Sequence, residues 1–310
     1  MVRRIFRIFG RKVFIRMIHR YLRAIGFSHI KRKSELDALL KHIMQTADEK
    51  KLLPCSSEEK HGLACLGKRF CSRGGIRIYG EYSEAGLFER EFYFPYIIGS
   101  KKSRGGDFSA EKQSDRDYYV GLCENPELPV SLIYGISNGI DCAAHMALGG
   151  KAPMTGVVLT GLSTGGSILL PVKKTERQKE AIKVSSTKRN SLISAAREGD
   201  PEAMESLTLG DMNLYRRISE RMDKEDIFSI IDTSFMPAGL ACDRYAVVGE
   251  ILAAETIIND MTDEKIWLLD VECNDIFLTI AINHEDLLGE PAVGRRFKGD
   301  ISLQGEVLFD

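Results

Sequence analysis

Apolar and polar positions alternate with different periods along the chain. Residues 17–26 (MIHRYLRAIG) have a helical period and stop at Gly26, a residue suited to the left-handed position after a helix. Ser34 caps a second predicted helix, SELDALLKHIMQTA, in which Leu36, Leu39, Leu40 and Ile43 recur at three- and four-residue steps. Asp37 stands three residues after Ser34, as the acidic half of a capping box. From residue 76 to 100 the period changes to two. GIRIYGEY and LFEREFYFPYIIG alternate aromatic and β-branched residues across Ser83-Glu84-Ala85-Gly86, which predicts a β-hairpin. Residues 99–117 read as a polar loop. Tyr118–Cys123 and Leu128–Tyr134 resume apolar structure, the latter entering a helix over Asn138–Leu148. MTGVVLTGL and SILLPV read as two strands around a glycine-rich turn, and Pro171 ends this half.

From Thr175 to about Met222 the pattern is helical. Gly199-Asp200-Pro201-Glu202 closes one helix and starts the next, with Asp as cap and Pro at the first position. Asp211 offers a cap for a third helix. Strand-like runs then follow at Phe228–Ile231, Tyr245–Ile258, Lys265–Cys273, Ile276–Asn283 and Ile301–Phe309, with Asn274-Asp275 as a tight turn. Asn283 and Asp286 frame one short helical turn. Together these elements predict an α+β protein: a tail over 1–16, an N-terminal mixed domain over 17–172, a helical connector over 173–222, and a small β-barrel-like domain of OB kind over 223–310.

Composition narrows the class. With 310 residues, 44% hydrophobic and 28% charged, the chain is an ordinary globular protein rather than a disordered or fibrous one. No apolar run reaches the ~18 residues of a spanning helix, so no integral membrane association is expected. The net charge of −1 hides an asymmetry. Residues 1–33 hold eleven basic residues and no acid, leaving 32 basic against 44 acidic residues beyond. Residues 1–16 are read as a disordered or start-site segment, with Met17 as the functional start. Seven scattered cysteines without a C-x-x-C pair predict reduced thiols in a cytoplasmic protein. Cys55, His61, Cys65 and Cys71 have no tight pair, so neither a metal nor any other cofactor is expected.

Several stretches carry the residue types of catalytic or binding sites. Gly161-Leu162-Ser163-Thr164-Gly165 matches the G-x-S-x-G nucleophile elbow, making Ser163 a hydrolase candidate with Asp232 or Asp270 and His284 downstream. The elbow needs a following helix, however, and Ile168–Pro171 reads as strand. Thr160–Ser167 lacks the lysine of a phosphate loop. Asp141 and His145, four apart on a predicted helix, form a second pair, and His284-Glu285-Asp286 a third. The strongest binding candidate is Arg295, Arg296, Phe297 and Lys298, three cations around one aromatic between Gly294 and Gly299. Residues 223–290 contain sixteen acids and three cations, a field that disfavours nucleic acid. The partner expected of the cationic phrase is a small anionic ligand or a protein.

Four phrases carry a resemblance: Tyr21–Ser28; Gly80-Glu81-Tyr82 with Glu89–Tyr96; Glu205–Leu209; and Leu288–Gly299. They resemble a family of uncharacterised cytoplasmic proteins from anaerobic clostridia and their relatives, known as a domain of unknown function, over roughly residues 17–309. The resemblance implies a bacterial cytoplasmic setting and supports Met17 as the start. It brings no catalytic residue. The resulting expectation is a non-catalytic binding or regulatory module, with a Ser163 hydrolase and a nucleic-acid binder using Arg295–Lys298 as the two alternatives.

Overall fold

The computed structural model describes residues 19–54, 62–83, 85–102, 107–112, 119–124, 131–147, 154–172, 188, 191–193, 195–196, 199–222, 232–239, 241–274 and 276–309. The chain is a mixed α+β protein made mostly of sheet. Its N-terminal arm is a 3-10 turn over Arg20–Ile25 rather than an α-helix, closed by Gly26 at φ 86°. Helix α1 spans Lys33–Thr46. Ser34 therefore lies inside its first turn, and the cap comes from Glu35, whose carboxylate accepts from the Lys31 and Arg32 amides at 2.9 Å each. The acidic residue of the box lies two residues before Asp37 because the helix starts two residues earlier.

Strands β1 (Glu49–Pro54), β2 (Gly62–Cys71), β3 (Gly74–Tyr82) and β4 (Phe88–Ile97) form an antiparallel sheet in that order. The 76–100 hairpin is present as β3 and β4. Buried Leu36, Leu39, Leu40 and Ile43 of α1 share a core with Phe70, Ile76 and Ile78. This core also takes Tyr21, Leu22, Ile25 and Phe27 from the arm and Leu162, Ile266, Leu268 and Ala281 from the second sheet.

The second sheet comprises β5 (Asp107–Lys112), β6 (Tyr119–Glu124), β7 (Leu132–Ile136), β8 (Met154–Leu169), β9 (Ser234–Pro237), β10 (Arg244–Ile258), β11 (Lys265–Cys273), β12 (Ile276–Asn283), β13 (Leu287–Leu288) and β14 (Arg296–Phe309). Helix α2 (Gly139–Ala147) follows β7, and α3 (Pro201–Met222) lies between β8 and β9. β5 occupies part of the stretch read as a polar loop. It pairs with β6 along its whole length, and this cross-strand pairing outweighs its polar composition. Helix α3 runs unbroken through Asp211. Its start is as expected: Gly199 has φ 90°, and the Asp200 carboxylate accepts from the Glu202 amide at 2.9 Å. The expected strand at 228–231 lies outside the described residues.

Five ladders make a closed circuit. β8 pairs in parallel with β12, β12 with β11, β11 with β10, β10 with β14, and β14 returns antiparallel to β8. Ladders thus join 154–169 to 276–283 and 296–309, across residue 172. Phe297, Ile301, Leu303, Ile280, Ile282 and Leu269 of these strands belong to one core. Small residues make room for them: a Cβ on Gly166 would lie 2.4 Å from the Phe297 ring. The arm is tied to this body through buried polar groups. Asn259 Nδ2 donates to the Ile25 carbonyl at 2.8 Å, and Glu264 accepts from the Ser28 amide and hydroxyl.

Candidate functional site

Ser163 lies within a strand. MTGVVLTGLSTGGSIL forms the single strand β8, so the expected glycine-rich turn between two strands is absent. Flanking ladders to β12 and β14 keep the glycines extended. Ser163 is completely buried, and its single hydroxyl proton is shared between the carbonyls of Gly165 at 3.0 Å and Asp300 at 2.9 Å. Asp270 instead accepts from the Thr279 hydroxyl at 2.7 Å. His284 stacks near the Trp267 ring, with centroids 6.2 Å apart. Nothing here assembles the nucleophile, base and acid that an elbow requires.

Arg295, Arg296, Phe297 and Lys298 do not form one loop. Arg295 precedes β14, and the other three begin it. Alternation along the strand turns Phe297 into the core, where it is fully buried. Arg296 is also buried, and its guanidinium donates to the Leu170 carbonyl at 3.0 and 2.8 Å and to the Asp232 carbonyl at 3.2 Å. Arg295 donates to the Glu290 carbonyl at 2.6 Å. Residues 294 and 295 extend the β10–β14 pairing beyond Arg296: the Gly294 amide donates to the Ile251 carbonyl at 2.9 Å and the Ile251 amide to the Arg295 carbonyl at 2.8 Å. Pro291 is buried. Leu170, Leu288 and Val293 are 74%, 73% and 70% exposed. Half-buried Trp267 pairs with Ile282 on the neighbouring strand.

A second cluster joins the two sheets. Asp141 and His145 do not pair. The Lys51 ammonium donates to both Asp141 oxygens at 2.7 and 2.9 Å, while His145 stacks on Phe309 with centroids 4.5 Å apart. Lys51 also reaches Glu49 at 3.2 Å, and Glu49 reaches Arg77 at 3.2 Å. The Arg77 guanidinium lies 4.2 Å from the Tyr96 ring centroid. Both Arg77 and the Tyr79 hydroxyl donate to the Ser137 carbonyl at 2.9 Å.

The electrostatics of this cluster fix its charge states. Burial alone would raise the Glu49 carboxyl, but Arg77 and Lys51 outweigh it and hold the group below the usual range. Burial would lower Lys51, yet Asp141 and Glu49 raise it. Burial pushes the Cys65 thiol up to about 12 and the Tyr79 phenol well above its ordinary value. Each of these shifts deepens the state the group already has at neutral pH. That is the signature of a held ionic junction rather than of a proton-transferring pair.

Comparison with known proteins adds one match. A family model described as "Domain of unknown function, E. rectale Gene description (DUF3881)" covers residues 22–305. The chain belongs to the DUF3881 family. No curated protein and no solved structure gives a significant match. The DUF3881 match runs from within the arm to within β14. It carries no activity of its own.

Other features of this DUF3881 chain escape a motif search. Cys55 and His61 lie outside the described residues, whereas Cys65 and Cys71 are buried in different cores. Glu49, Lys51, Arg77 and Tyr79 form no motif, since the contacts that unite them run across strands. Their only sequence signal is Arg77 placed between Ile76 and Ile78 in an apolar strand. No helix among the described residues is long and apolar enough to cross a membrane.

Proposed function

We propose that this DUF3881 protein is a non-catalytic binding or regulatory module of the bacterial cytoplasm, and that its partner is a protein docking on the end of the five-strand, barrel-like ring. One observation carries the reading: Leu170, Leu288 and Val293 are each at least 70% exposed, and they flank the same end of β8, where Leu288 pairs with Ser167 and Arg296 with Leu169. Leaving three large apolar side chains in water is unfavourable by about 1–2 kcal/mol each relative to burial, and such clusters mark contact surfaces. Arg295 and Lys298 supply a basic rim, while Phe297 supports the surface from beneath. The buried hydroxyl of Ser163 and the fixed charges around Arg77 support a binding role over acid–base chemistry.

Site-specific photo-crosslinking tests this reading. A photoreactive residue at Leu288 or Val293, in cells carrying the natural gene, is expected to give one discrete protein adduct. The adduct disappears when Leu170 is replaced by Asp. No adduct, together with a bound small molecule in native mass spectrometry, overturns the reading in favour of a ligand site.

A further inference from the structure

The basic head of the chain has no part in either sheet or in the ring. Residues 1–33 hold eleven Lys and Arg and no acid, whereas acids outnumber cations 44 to 32 in the remainder. Residues 1–18 lie outside the described residues, and their charge and spacing belong to the sequence itself. Val2, Phe6, Phe9 and Val13 recur there at steps of four, three and four residues. At helical spacing Arg4, Arg7 and Arg11 fall opposite that stripe. A basic side against an aromatic and aliphatic one is the pattern of segments that lie in a lipid interface.

The described end of the head is fixed to the body by its apolar side chains. The arm buries Tyr21, Leu22, Ile25, Phe27 and Ile30, while Arg20, Lys31, Arg32 and Lys33 are exposed. The first acids that follow in sequence are already engaged. Glu35 accepts from the Lys31 and Arg32 amides and pairs with Arg32 at 3.0 Å, and Asp37 pairs with Arg90 at 3.0 Å. Three successive cations at the start of α1 meet the positive pole of its dipole, a placement that folding alone disfavours. Exposed Asp260 and Asp263, on the loop that holds Gly26, offset part of this charge. Residues 1–18 add six cations and contain no acid to offset them.

We propose that the head is a membrane-surface anchor: its cations meet the headgroups of anionic phospholipids, and the stripe from Val2 to Val13 enters the acyl boundary. The two signals act in sequence. Cations draw the head in over a Debye length, ~8–10 Å, and the apolar stripe then holds it by leaving water. The stripe decides against nucleic acid as the partner, because duplex phosphates offer four apolar side chains no medium to enter. Residues 1–16 are then a working part of the chain rather than a start-site segment. The anchor is separate from the docking end of the ring, so either proposal stands if the other fails.

Flotation of the full chain with lipid vesicles tests it. The chain is expected to float with phosphatidylcholine vesicles containing about a third phosphatidylglycerol, and to stay behind with pure phosphatidylcholine. High salt should weaken the first of these. Arg7→Glu together with Arg11→Glu should weaken binding at least about tenfold. Phe6→Ser together with Phe9→Ser keeps every charge and should also weaken it about tenfold. Lys31→Glu together with Lys33→Glu should have a smaller effect, about threefold. All three variants should keep the parent circular dichroism. No flotation, equal flotation with both vesicles, or undiminished binding by the Phe6→Ser, Phe9→Ser variant would overturn the proposal. In the last case, displacement of the vesicles by duplex DNA would mark the head as a nucleic-acid arm instead.

Discussion

Ile76 and Ile78 on one face of β3, and Arg77 and Tyr79 on the other, are sequence neighbours that enter two different kinds of interior. The isoleucines meet α1 and the arm in a core of apolar side chains. Arg77 and Tyr79 meet charges, a carbonyl and aromatic rings. The apolar face tolerates rearrangement, because dispersion contacts and water release do not depend on direction. The polar face does not. Each donor there has a specified acceptor, so it fixes how the first sheet is set against β7 and α2. One strand thus takes much of its stability from one side and its orientation from the other.

Four measurements can break or sharpen that contrast, beginning with the largest expected effect. Ile78→Ala should lower the free energy of unfolding in urea by about 4 kcal/mol, the cost of a cavity in a packed core. Arg77→Met should cost about 3 kcal/mol, because it leaves Glu49 partly buried without its main counter-charge. Adding Glu49→Gln to that variant should recover part of the loss. If the double variant is worse than the sum of the two single ones, the ionic reading of this face fails.

The third measurement concerns pH. Burial, followed by the charge of Arg20, lowers His19 from its ordinary 6.5 to about 4. Its Nδ1 is enclosed and has no hydrogen-bond partner among the described residues. The unfolded chain then takes up a proton that the folded form refuses, so stability falls as pH drops from 6.5 toward 4. By pH 5 the loss should be about 2 kcal/mol. Urea midpoints at pH 7.5 and 5 should show it, and His19→Gln should flatten the difference. Smallest of all, Lys51→Met should change stability by less than about 1 kcal/mol, since both Lys51 and Asp141 are more than a third exposed.

These contrasts also mark what the sequence could and could not tell. Strands β11 and β12 were legible to the residue, because long apolar runs are broken by Asn274 at φ 50°. Gly199-Asp200-Pro201 was legible because each residue supports the same helix start. The single strand through Gly161–Gly166 was not. Its glycines read locally as a turn, and only partners more than a hundred residues away keep them extended. The arginine-rich phrase at 294–299 misled for a related reason: strand alternation, invisible in composition, sends Phe297 inward and spends Arg296 on carbonyl oxygens. The ionic junction of Glu49, Lys51, Arg77 and Asp141 had no local signal at all beyond one arginine in an apolar strand.

The long ladder between β8 and β14 has a bearing on synthesis. Its two strands, Met154–Leu169 and Arg296–Phe309, are far apart in sequence. Contacts of such separation form slowly, because a large loop must close first. On the ribosome, β8 emerges well before the strands that flank it. Until β12 and β14 arrive, the nascent chain carries an apolar strand with both edges unsatisfied. The α3 region is translated in that interval, which makes this the stage at which a chaperone would be most needed.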